Sequence, residues 1–472
     1  MQLPLPGTWN GRLVQVSNGG KGGSLNFNDA RLAQGYAVAN SNMGHDSGAE
    51  PNASFAFDNR QAEIDFGYRA AHLTANASKT LVSAYYAAPP QYAYFEGCSS
   101  GGRQALMEAQ RYPQDFDGIL AGAPVNQYQA INAAQAWMLQ RLFRDKFENN
   151  LAFDTDGDGV PDSLTKLNLL SHAVLAKCDA VDGIRDGVID DPLACRFTPE
   201  ADLAALMCSG DINADGCFTL GQIQTIKDIY GDGRDSKGAL VFKGQALGSE
   251  PGWATELVPH KGNRLRPNRM STAGDHMNLL FYEVDPGVPP ADLTNTAYVP
   301  NTRVRPPEFA WWTFDIDDFT AGKADVMRAI TDSTDPDLTR FLKHRGGKLL
   351  LYHGWADATG HPEPTVDYYR AVVDTTFNGD IAAARQSVRL FIALGMGTAA
   401  GGPGRTPGIV QPLVDWVEHG RAPDFIAASQ STNGARNNER KICAAPQRAV
   451  YAGPAGGEND RANWVAAHFT CR

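Results

Sequence analysis

The chain has no long apolar segment and no cluster of positive charge, and both absences narrow its possible functions. None of its apolar runs approaches the roughly 20 residues that a membrane-spanning helix needs. Lys and Arg number 42 against 53 Asp and Glu, which gives a net charge of −11. Because binding of phosphates needs clustered positive charge, we expect no nucleic-acid partner. The lack of a long apolar run argues against a place in the membrane.

The chain also has few cysteines, and the first residues lack the features of a leader. "MQLPLPGTWNGR" has neither the basic nor the apolar region of a signal peptide. Six of the seven cysteines fall into local pairs, 178 with 195, 208 with 217 and 443 with 471, whereas Cys98 does not. Although spacing does not prove pairing, three short disulfide loops are typical of an oxidising compartment. We therefore expect a secreted or periplasmic protein whose export signal has been removed.

No internal repeat or low-complexity tract is present, and the apolar residues occur instead in short runs that end in Gly, Asn or Ser. Such runs are typical of strands buried on both faces of a parallel sheet. Segments with helical spacing separate them, so the alternation predicts an α/β fold. The runs cover residues 12–18, 35–43, 92–99, 118–125, 348–355 and 388–394.

The alternation of strands and helices is interrupted in the middle of the chain. Residues 126–335 are rich in Asp, Gly, Pro and Trp and contain four of the seven cysteines. We therefore predict two units, an α/β domain formed by residues 1–125 and 336–472 and an inserted lid domain at 126–335. The lid is expected to cover the ligand-binding edge of the sheet.

The stretch "GCSSGG" places Ser99 between two glycines, after a predicted strand and before a predicted helix. This G-x-S-x-G spacing allows the strained turn that exposes a nucleophilic serine, although a turn of purely structural purpose has the same letters. The backbone N–H of Ser100 is then one candidate oxyanion donor. The early stretch "SNGGKGG" offers a second through Gly19 or Gly20, unless it is only a flexible turn.

A serine nucleophile on this fold is followed along the chain by an acid on the loop after a late strand. "YHGWADATGHP" follows the predicted strand "KLLLY" and contains Asp357. A single Asp in a loop is more often a turn former. Its position after a late buried strand makes Asp357 the candidate acid.

Several longer stretches resemble one family of serine esterases. They include "WNGRLVQVSNGGKGGSLN", "GYAVANSNMGHDSG", "FEGCSSGGRQALMEAQRYPQDFDGILAGAPV", "CDAVDGIRDGVIDDPLAC", "YHGWADATGHPEPTVDYYR" and "LVDWVEHGRAPDFI". The sequence thereby resembles the tannase and feruloyl esterase family, which includes mono-(2-hydroxyethyl) terephthalate hydrolases. The resemblance implies an α/β-hydrolase core with a large lid, Ser99 as nucleophile, Asp357 as triad acid and hydrolysis of esters of aromatic acids.

The resemblance fails at the family's catalytic histidine. Members have a stretch like G-M-G-H-C-G-G-G, whose cysteine forms a disulfide with the cysteine before the nucleophile. Here the stretch is "GMGTAAGGPG", with Thr398 at the histidine position and Ala399 at the cysteine position, so Cys98 lacks its family partner. A threonine hydroxyl cannot act as a base near pH 7.

Two main hypotheses about activity follow from this difference. In the first, the protein is an esterase whose base is weakened or has moved, and His361, on the same loop as Asp357, is the candidate replacement unless it is only a solvated loop histidine. In the second, the protein is a catalytically silent relative that binds aromatic esters without turning them over. A transferase or lyase that uses the pocket without a histidine at 398 is a third, weaker possibility.

An acidic stretch in the lid predicts a calcium site. "CDAVDGIRDGVIDD" spaces Asp179, Asp182 and Asp186 so that carboxylates and carbonyl oxygens can converge on a hard cation, unless it is a solvated acidic turn. The resemblance implies that these three side chains bind structural Ca²⁺ together with the backbone oxygens of Ile184 and Val188. We expect no organic cofactor.

A second acidic stretch, "DTDGDGVPD", resembles the first half of an EF-hand loop. It contains Asp154, Asp156, Asp158 and Asp162, but Thr165 stands at the twelfth position in place of the expected Glu. It is either a weaker calcium loop or a plain turn.

The lid also contains the aromatic stretch "FAWWTFDIDDF" at 309–319. We predict that Trp311, Trp312 and Phe314 contact an aromatic acyl group. The alternative is that these residues form part of the lid core, as clustered aromatic residues more often do.

Overall fold

The computed structural model describes residues 1–26, 28–283, 314–397, 409–432 and 435–472. Its strands are β1 (Arg12–Val16), β2 (Ala37–Asn40), β3 (Tyr92–Cys98), β4 (Gly118–Gly122), β5 (Gly233–Arg234), β6 (Leu240–Phe242), β7 (Lys348–Gly354), β8 (Val388–Ala393), β9 (Phe425–Thr432), β10 (Ala435–Cys443), β11 (Ala449–Tyr451) and β12 (Phe469–Cys471).

Six of these strands form one parallel sheet in the order β2-β1-β3-β4-β7-β8. They are the six apolar runs from which the sequence predicted strands, and neighbouring residues of one strand are buried on opposite faces. Leu13 packs into one hydrophobic cluster and Val14 into another. The remaining strands form three antiparallel pairs, β9 with β10, β11 with β12 and β5 with β6.

The α-helices, in chain order, are α1 (Asp29–Ala33), α2 (Arg60–Ile64), α3 (Ala70–Tyr86), α4 (Ser100–Arg111), α5 (Tyr128–Phe143), α6 (Thr165–Cys178), α7 (Pro199–Asp202), α8 (Leu220–Tyr230), α9 (Glu250–Glu256), α10 (Asn268–His276), α11 (Asp317–Thr320), α12 (Asp325–Thr331), α13 (Glu363–Phe377), α14 (Ile381–Ala384) and α15 (Val410–His419). Single π-helical turns lie at Asp65–Arg69, Met277–Phe281 and Arg340–His344.

Helices cover both faces of the parallel sheet. The cluster on one face includes residues of α3, α4 and α13, such as Ala75, Leu106 and Val372. The cluster on the other face includes Leu413 and Trp416 of α15. A mostly parallel sheet between helices has the architecture of an α/β hydrolase, so the predicted fold class is confirmed.

The helices between β4 and β7 pack around a core of their own. This core includes Leu139 of α5, Leu170 of α6, Ile226 of α8 and Trp253 of α9. Because β4 and β7 are neighbours in the sheet, the chain leaves the sheet after β4 and returns to it at the adjacent strand β7. The insertion therefore begins at the carboxyl end of β4, next to the end of β3; the domain boundaries at 125/126 and 335/336 stay a prediction.

The three local cysteine pairs predicted from spacing are disulfides in the structure. They join Cys178 to Cys195, Cys208 to Cys217 and Cys443 to Cys471. Cys98 lies outside them. Among the described helices, none combines the length and the apolar character needed to cross a bilayer.

Candidate functional site

Ser99 occupies a strained turn between a strand and a helix. β3 ends at Cys98, α4 begins at Ser100, and Ser99 itself has φ 60° and ψ −123°. A non-glycine residue rarely adopts a positive φ, and such strain persists only where the surroundings enforce it. The backbone N–H of Ser99 donates to the carbonyl of Gly122, 2.9 Å away, which fixes the turn against β4.

Glycines allow α4 to approach the sheet closely enough to make this turn. A Cβ added to Gly97 would lie 2.3 Å from the carbonyl oxygen of Gly101, and one added to Gly102 would lie 2.2 Å from that of Gly122. Both distances are far below van der Waals contact. Gly97, the first glycine of the G-x-S-x-G pattern, and Gly102 are therefore required by packing.

The structure brings the predicted oxyanion loop to Ser99. A Cβ added to Gly19 would lie 3.7 Å from Cβ of Ser99, so the backbone of the glycine-rich loop runs beside the serine. Gly20 follows with a φ of +60°. Ser100 is the first residue of α4, where backbone N–H groups lack helical partners and the helix dipole is positive. The donor roles of Ser100, Gly19 and Gly20 stay predictions.

The basic residue of this glycine-rich loop faces the lid. Asp275 and Arg269 of α10 both act on the charge of Lys21. Burial lowers the pKa of Lys21 to about 8, and Asp275 partly opposes this shift. Helix α10 of the insertion therefore lies near the loop that runs beside Ser99.

Asp357 lies in the loop after β7, as predicted, and has a partner that the sequence analysis did not propose. Its Oδ2 lies 3.0 Å from Nε2 of His353, and its Oδ1 accepts hydrogen bonds from the backbone N–H groups of Thr359 and Gly360 at 2.8 and 2.9 Å. Nδ1 of His353 lies 2.7 Å from Oγ1 of Thr365. The spacing of four residues between His353 and Asp357 was visible in "YHGWAD".

The carboxylate of Asp357 is close enough to the nucleophile turn for its charge to act on Cys98. Burial raises the pKa of the Cys98 thiol to about 11, and the charge of Asp357 adds to the rise. A hydrogen bond with Tyr352 acts in the opposite direction. Tyr352 belongs to β7, so this contact links the residue before Ser99 to the strand that leads to Asp357.

His361 is buried, which corrects the alternative of a solvated loop histidine. It is only 1% exposed and has a φ of 52°. Nδ1 lies 2.9 Å from the carbonyl of Lys243, and Nε2 lies 3.2 and 3.1 Å from the side-chain nitrogens of Gln135 and Gln245. Burial lowers its pKa to about 4. Its role as a base stays a prediction, and that role requires one of these hydrogen bonds to break.

Three of the predicted site residues, Thr398, Trp311 and Trp312, lie outside the described residues. Phe314 is described and is 5% exposed. Its ring contacts Phe281 in the lid core with centroids 5.7 Å apart, and its carbonyl accepts a hydrogen bond from Gln140 at 2.9 Å. Phe314 therefore belongs to the core of the insertion, as the alternative interpretation of the aromatic stretch predicted.

The predicted calcium ligands lie in one acidic turn after α6. Oδ1 of Asp179 accepts from the backbone N–H groups of Asp186 and Gly187, each at 3.2 Å, and Asp182 accepts from Ile184 at 3.1 Å. Val188 donates to Asp186 at 3.1 Å.

Two further residues complete this turn, and sequence analysis did not assign them. Asp190 lies against Asp182, and partial burial together with the charge of Asp182 raises its pKa well above the ordinary value. Its Oδ1 has no hydrogen-bond partner in the described part of the chain. Arg440 forms a buried ion pair with Asp186. An orphaned oxygen among crowded carboxylates fits a hard divalent cation, which would neutralise their charge.

The second acidic loop brings three of its four carboxylates together. Oxygen atoms of Asp154, Asp156 and Asp158 lie within 4.8 Å of one another. Lys261 Nζ is 3.0 Å from both Asp156 and Asp158, so positive charge is already present. Asp162 instead accepts hydrogen bonds from Thr155 at 2.8 and 3.0 Å.

Comparison with known proteins agrees with this architecture. The family model described as "Tannase and feruloyl esterase" matches residues 1–465. The chain is 32% identical to mono(2-hydroxyethyl) terephthalate hydrolase of Piscinibacter sakaiensis, over 99% of this chain and 81% of that protein. It is 31% identical to probable feruloyl esterase B-2 of Aspergillus flavus, over 91% of this chain and 76% of that protein.

A solved structure is similar over almost the whole chain. The crystal structure of feruloyl esterase B from Aspergillus oryzae aligns with a TM-score of 0.80 at 25% identity, covering 98% of this chain and 86% of that one. Tannin acyl hydrolase from Aspergillus niger aligns with a TM-score of 0.70 at 21% identity, which supports the fold alone.

Proposed function

The chain belongs to the tannase and feruloyl esterase family of carboxylic-ester hydrolases, and from this membership we propose that it cleaves esters of aromatic, phenolic acids through an acyl-enzyme on Ser99. The observation that carries the proposal is the positive φ of Ser99 at the junction of β3 and α4. This strained turn is the conformation in which a serine hydroxyl is presented to a substrate.

In the proposed reaction, Oγ of Ser99 attacks the ester carbonyl and gives its proton to a base. The backbone N–H groups of Ser100 and of Gly19 or Gly20 stabilise the oxyanion. The bond to the alcohol oxygen then breaks, and the alcohol leaves with the proton. Water next attacks the acyl-enzyme, releasing the acid and restoring the Ser99 hydroxyl. The substrate class follows from the family, whose named members act on feruloyl, tannin and terephthalate esters.

We propose that the base of this reaction is weakened or has moved from the family's histidine position. Neither described histidine near Asp357 forms a hydrogen bond to Ser99, because His353 contacts Thr365 and Asp357 while His361 contacts Lys243 and two glutamines. Loss of a triad member leaves roughly 10³- to 10⁴-fold acceleration over water. We therefore expect slow turnover.

The same contacts support the second candidate, a silent relative that binds aromatic esters without cleaving them. With Thr398 at the family's histidine position and His361 engaged elsewhere, no proton acceptor is assigned to Ser99. A ligand would then occupy the site without forming a covalent adduct on Ser99.

One experiment separates the two candidates. Hydrolysis of methyl ferulate, methyl gallate, mono(2-hydroxyethyl) terephthalate and a p-nitrophenyl ester is measured with the wild-type chain and with Ser99→Ala, His361→Ala and Thr398→His. Slow turnover that is lost in Ser99→Ala supports the esterase, and its loss in a folded His361→Ala variant would assign the base. His172→Asn, which changes an exposed lid histidine, is the matched control.

No turnover in the wild-type chain, with turnover appearing in Thr398→His, would support the silent relative. Turnover that persists unchanged in Ser99→Ala would contradict both candidates. Binding without turnover is detected by calorimetry with methyl ferulate and by mass spectrometry of the intact chain, which reports an acyl adduct on Ser99.

We further propose that Ca²⁺ binds Asp179, Asp182, Asp186 and the backbone oxygens of Ile184 and Val188, with Asp190 beside them. The ion would supply positive charge that stabilises the lid, and it would take no part in ester cleavage. The three disulfides support secretion or a periplasmic location, since such bonds persist in oxidising compartments.

A further inference from the structure

A second cluster of metal-binding side chains lies on the α/β core, far from Ser99. It consists of His72 on α3, Glu108 on α4 and Asp115 in the segment between α4 and β4. One ligand atom from each of the three lies within 4.8 Å of the others. Glu108 lies nine positions after Ser99, which corresponds to about 14 Å along the helix. The cluster is therefore separate from the ester-cleaving site.

Glu108 is the least satisfied member of this cluster. It is completely buried, no N–H group of the described residues donates to its carboxylate oxygens, and its carboxyl group lies against that of Asp115. A buried carboxyl group without a donor is costly unless a proton or a cation neutralises it. The adjacent carboxyl groups of Glu108 and Asp115, with His72 beside them, point to a cation shared by the three side chains.

His72 is held in a position to share that ligand. Its Nδ1 lies 2.6 Å from Oδ2 of Asp115, and its ring stacks on Tyr112 with centroids 3.8 Å apart. Nε2 lies 3.1 Å from Nδ2 of Asn76. Because a flipped amide would present its oxygen, Asn76 can accept from Nε2–H, and a metal on Nδ1 would then replace the hydrogen bond between Nδ1 and Asp115.

We propose that His72, Glu108 and Asp115 form a binding site for a divalent transition-metal ion of the Zn²⁺ type. One imidazole nitrogen and two carboxylate oxygens are a donor set that Zn²⁺ accepts, with water in the fourth position. Ca²⁺ is disfavoured because it takes six to eight oxygen ligands. The ion would offset the negative charge that Lys79, 3.8 Å from Asp115, balances in part.

The surroundings allow the ion to enter and give it a structural role. The side chain of His72 is 27% exposed, whereas that of Asp115 is 8% exposed, so the imidazole forms the outer wall of the site. A bound ion would connect α3 to α4 and to the segment that leads into β4. We therefore expect binding to stabilise the core without changing ester cleavage.

The test is calorimetric titration of the full-length chain with ZnCl₂, after dialysis against EDTA and addition of excess Ca²⁺ to fill the acidic loops. We expect one equivalent to bind with a Kd in the micromolar range and to raise the thermal midpoint of unfolding. His72→Asn and Glu108→Gln should each weaken binding at least tenfold. His172→Asn, on the lid, should leave it unchanged.

The absence of saturable binding to the wild-type chain would overturn the proposal, as would binding that His72→Asn leaves unaltered. In either case, Glu108 and Asp115 only share a proton. Should Glu108→Gln not fold, the partly exposed His72→Asn decides the question by itself.

Discussion

The carboxylate of Asp357 lies 3.0 Å from Nε2 of His353, and both side chains are completely buried. The expected triad acid therefore already has a histidine partner within its own loop. The second nitrogen of His353 is engaged by Thr365, so the imidazole is fixed on both sides. Through its contact with Thr365, His353 connects the end of β7 to the first turn of α13.

This pairing predicts strong energetic coupling between the two residues. His353→Gln and Asp357→Asn should each lower the free energy of unfolding by roughly 1–3 kcal/mol, because each leaves a buried partner incompletely bonded. The double variant should be less destabilised than the sum, with a coupling energy of about 0.5–3 kcal/mol. Chemical denaturation of the four proteins measures the cycle, and simple additivity would contradict the pairing.

The close approach of α4 to the sheet predicts the effect of adding a methyl group at two glycines. Gly97→Ala and Gly102→Ala should destabilise the protein by roughly 1–3 kcal/mol each, because the new Cβ would clash with a backbone carbonyl. Gly216→Ala is the matched control, since nothing lies within 4 Å of a Cβ at that exposed lid position. Thermal unfolding compares the three; equal stability of Gly102→Ala and Gly216→Ala would contradict the packing described.

Removal of Ca²⁺ is expected to destabilise the lid through the turn after α6. At a Ca²⁺ concentration of about 100 times Kd, binding adds about 2.7 kcal/mol to the free energy of unfolding, and EDTA should abolish that increment. The midpoint of thermal unfolding with and without EDTA measures this. Asp182→Asn should remove the sensitivity to EDTA, whereas Asp156→Asn should retain it. The reverse result would assign the ion to the loop of Asp154, Asp156 and Asp158.

The buried carboxyl group of Glu250 predicts that the free energy of unfolding depends on pH. It is fully buried, and burial raises its pKa to about 7, although it accepts hydrogen bonds from Tyr230 at 2.7 Å and Gly248 at 2.8 Å. Because the pKa in the folded state is raised, its contribution is fully present below the unfolded value near 4.5 and is lost as the pH rises through about 7.

Glu250→Gln tests this assignment. The wild-type protein should lose up to roughly 3 kcal/mol relative to the variant between acidic and mildly alkaline pH, since each pKa unit corresponds to 1.36 kcal/mol. Denaturant unfolding of both proteins across this range gives the difference. A difference that stays constant with pH would show that the carboxyl group of Glu250 titrates normally.

Local patterns were sufficient to predict the sheet and the nucleophile turn. A strand buried on both faces has to be apolar at successive positions, as Leu13 and Val14 are. Each of the six strands could therefore be predicted from a short apolar run in the sequence. The turn at Ser99 requires glycines at fixed positions beside it. The disulfides could be predicted because their partners lie close in sequence, the most distant being 28 residues apart.

Contacts between residues distant in the chain could not be predicted in this way. Arg440 meets Asp186 across 254 residues, and Gln135 meets His361 across 226. The sequence near His361 does not indicate which side chains surround it. A solvated and a buried position therefore agreed equally well with the local sequence. The cluster of His72, Glu108 and Asp115 likewise forms only when α3 packs beside α4.

Short-range sequence patterns specify the strands and helices along the chain, the glycine-bounded serine and the three disulfides, because sterics and hydrophobic burial act on neighbouring residues. The tertiary structure decided which side chains face one another at the carboxyl end of the sheet. In the folded chain Asp357 contacts His353, and His361 contacts the side-chain amides of Gln135 and Gln245. These contacts form because a buried polar group is stable only when it has a hydrogen-bond partner.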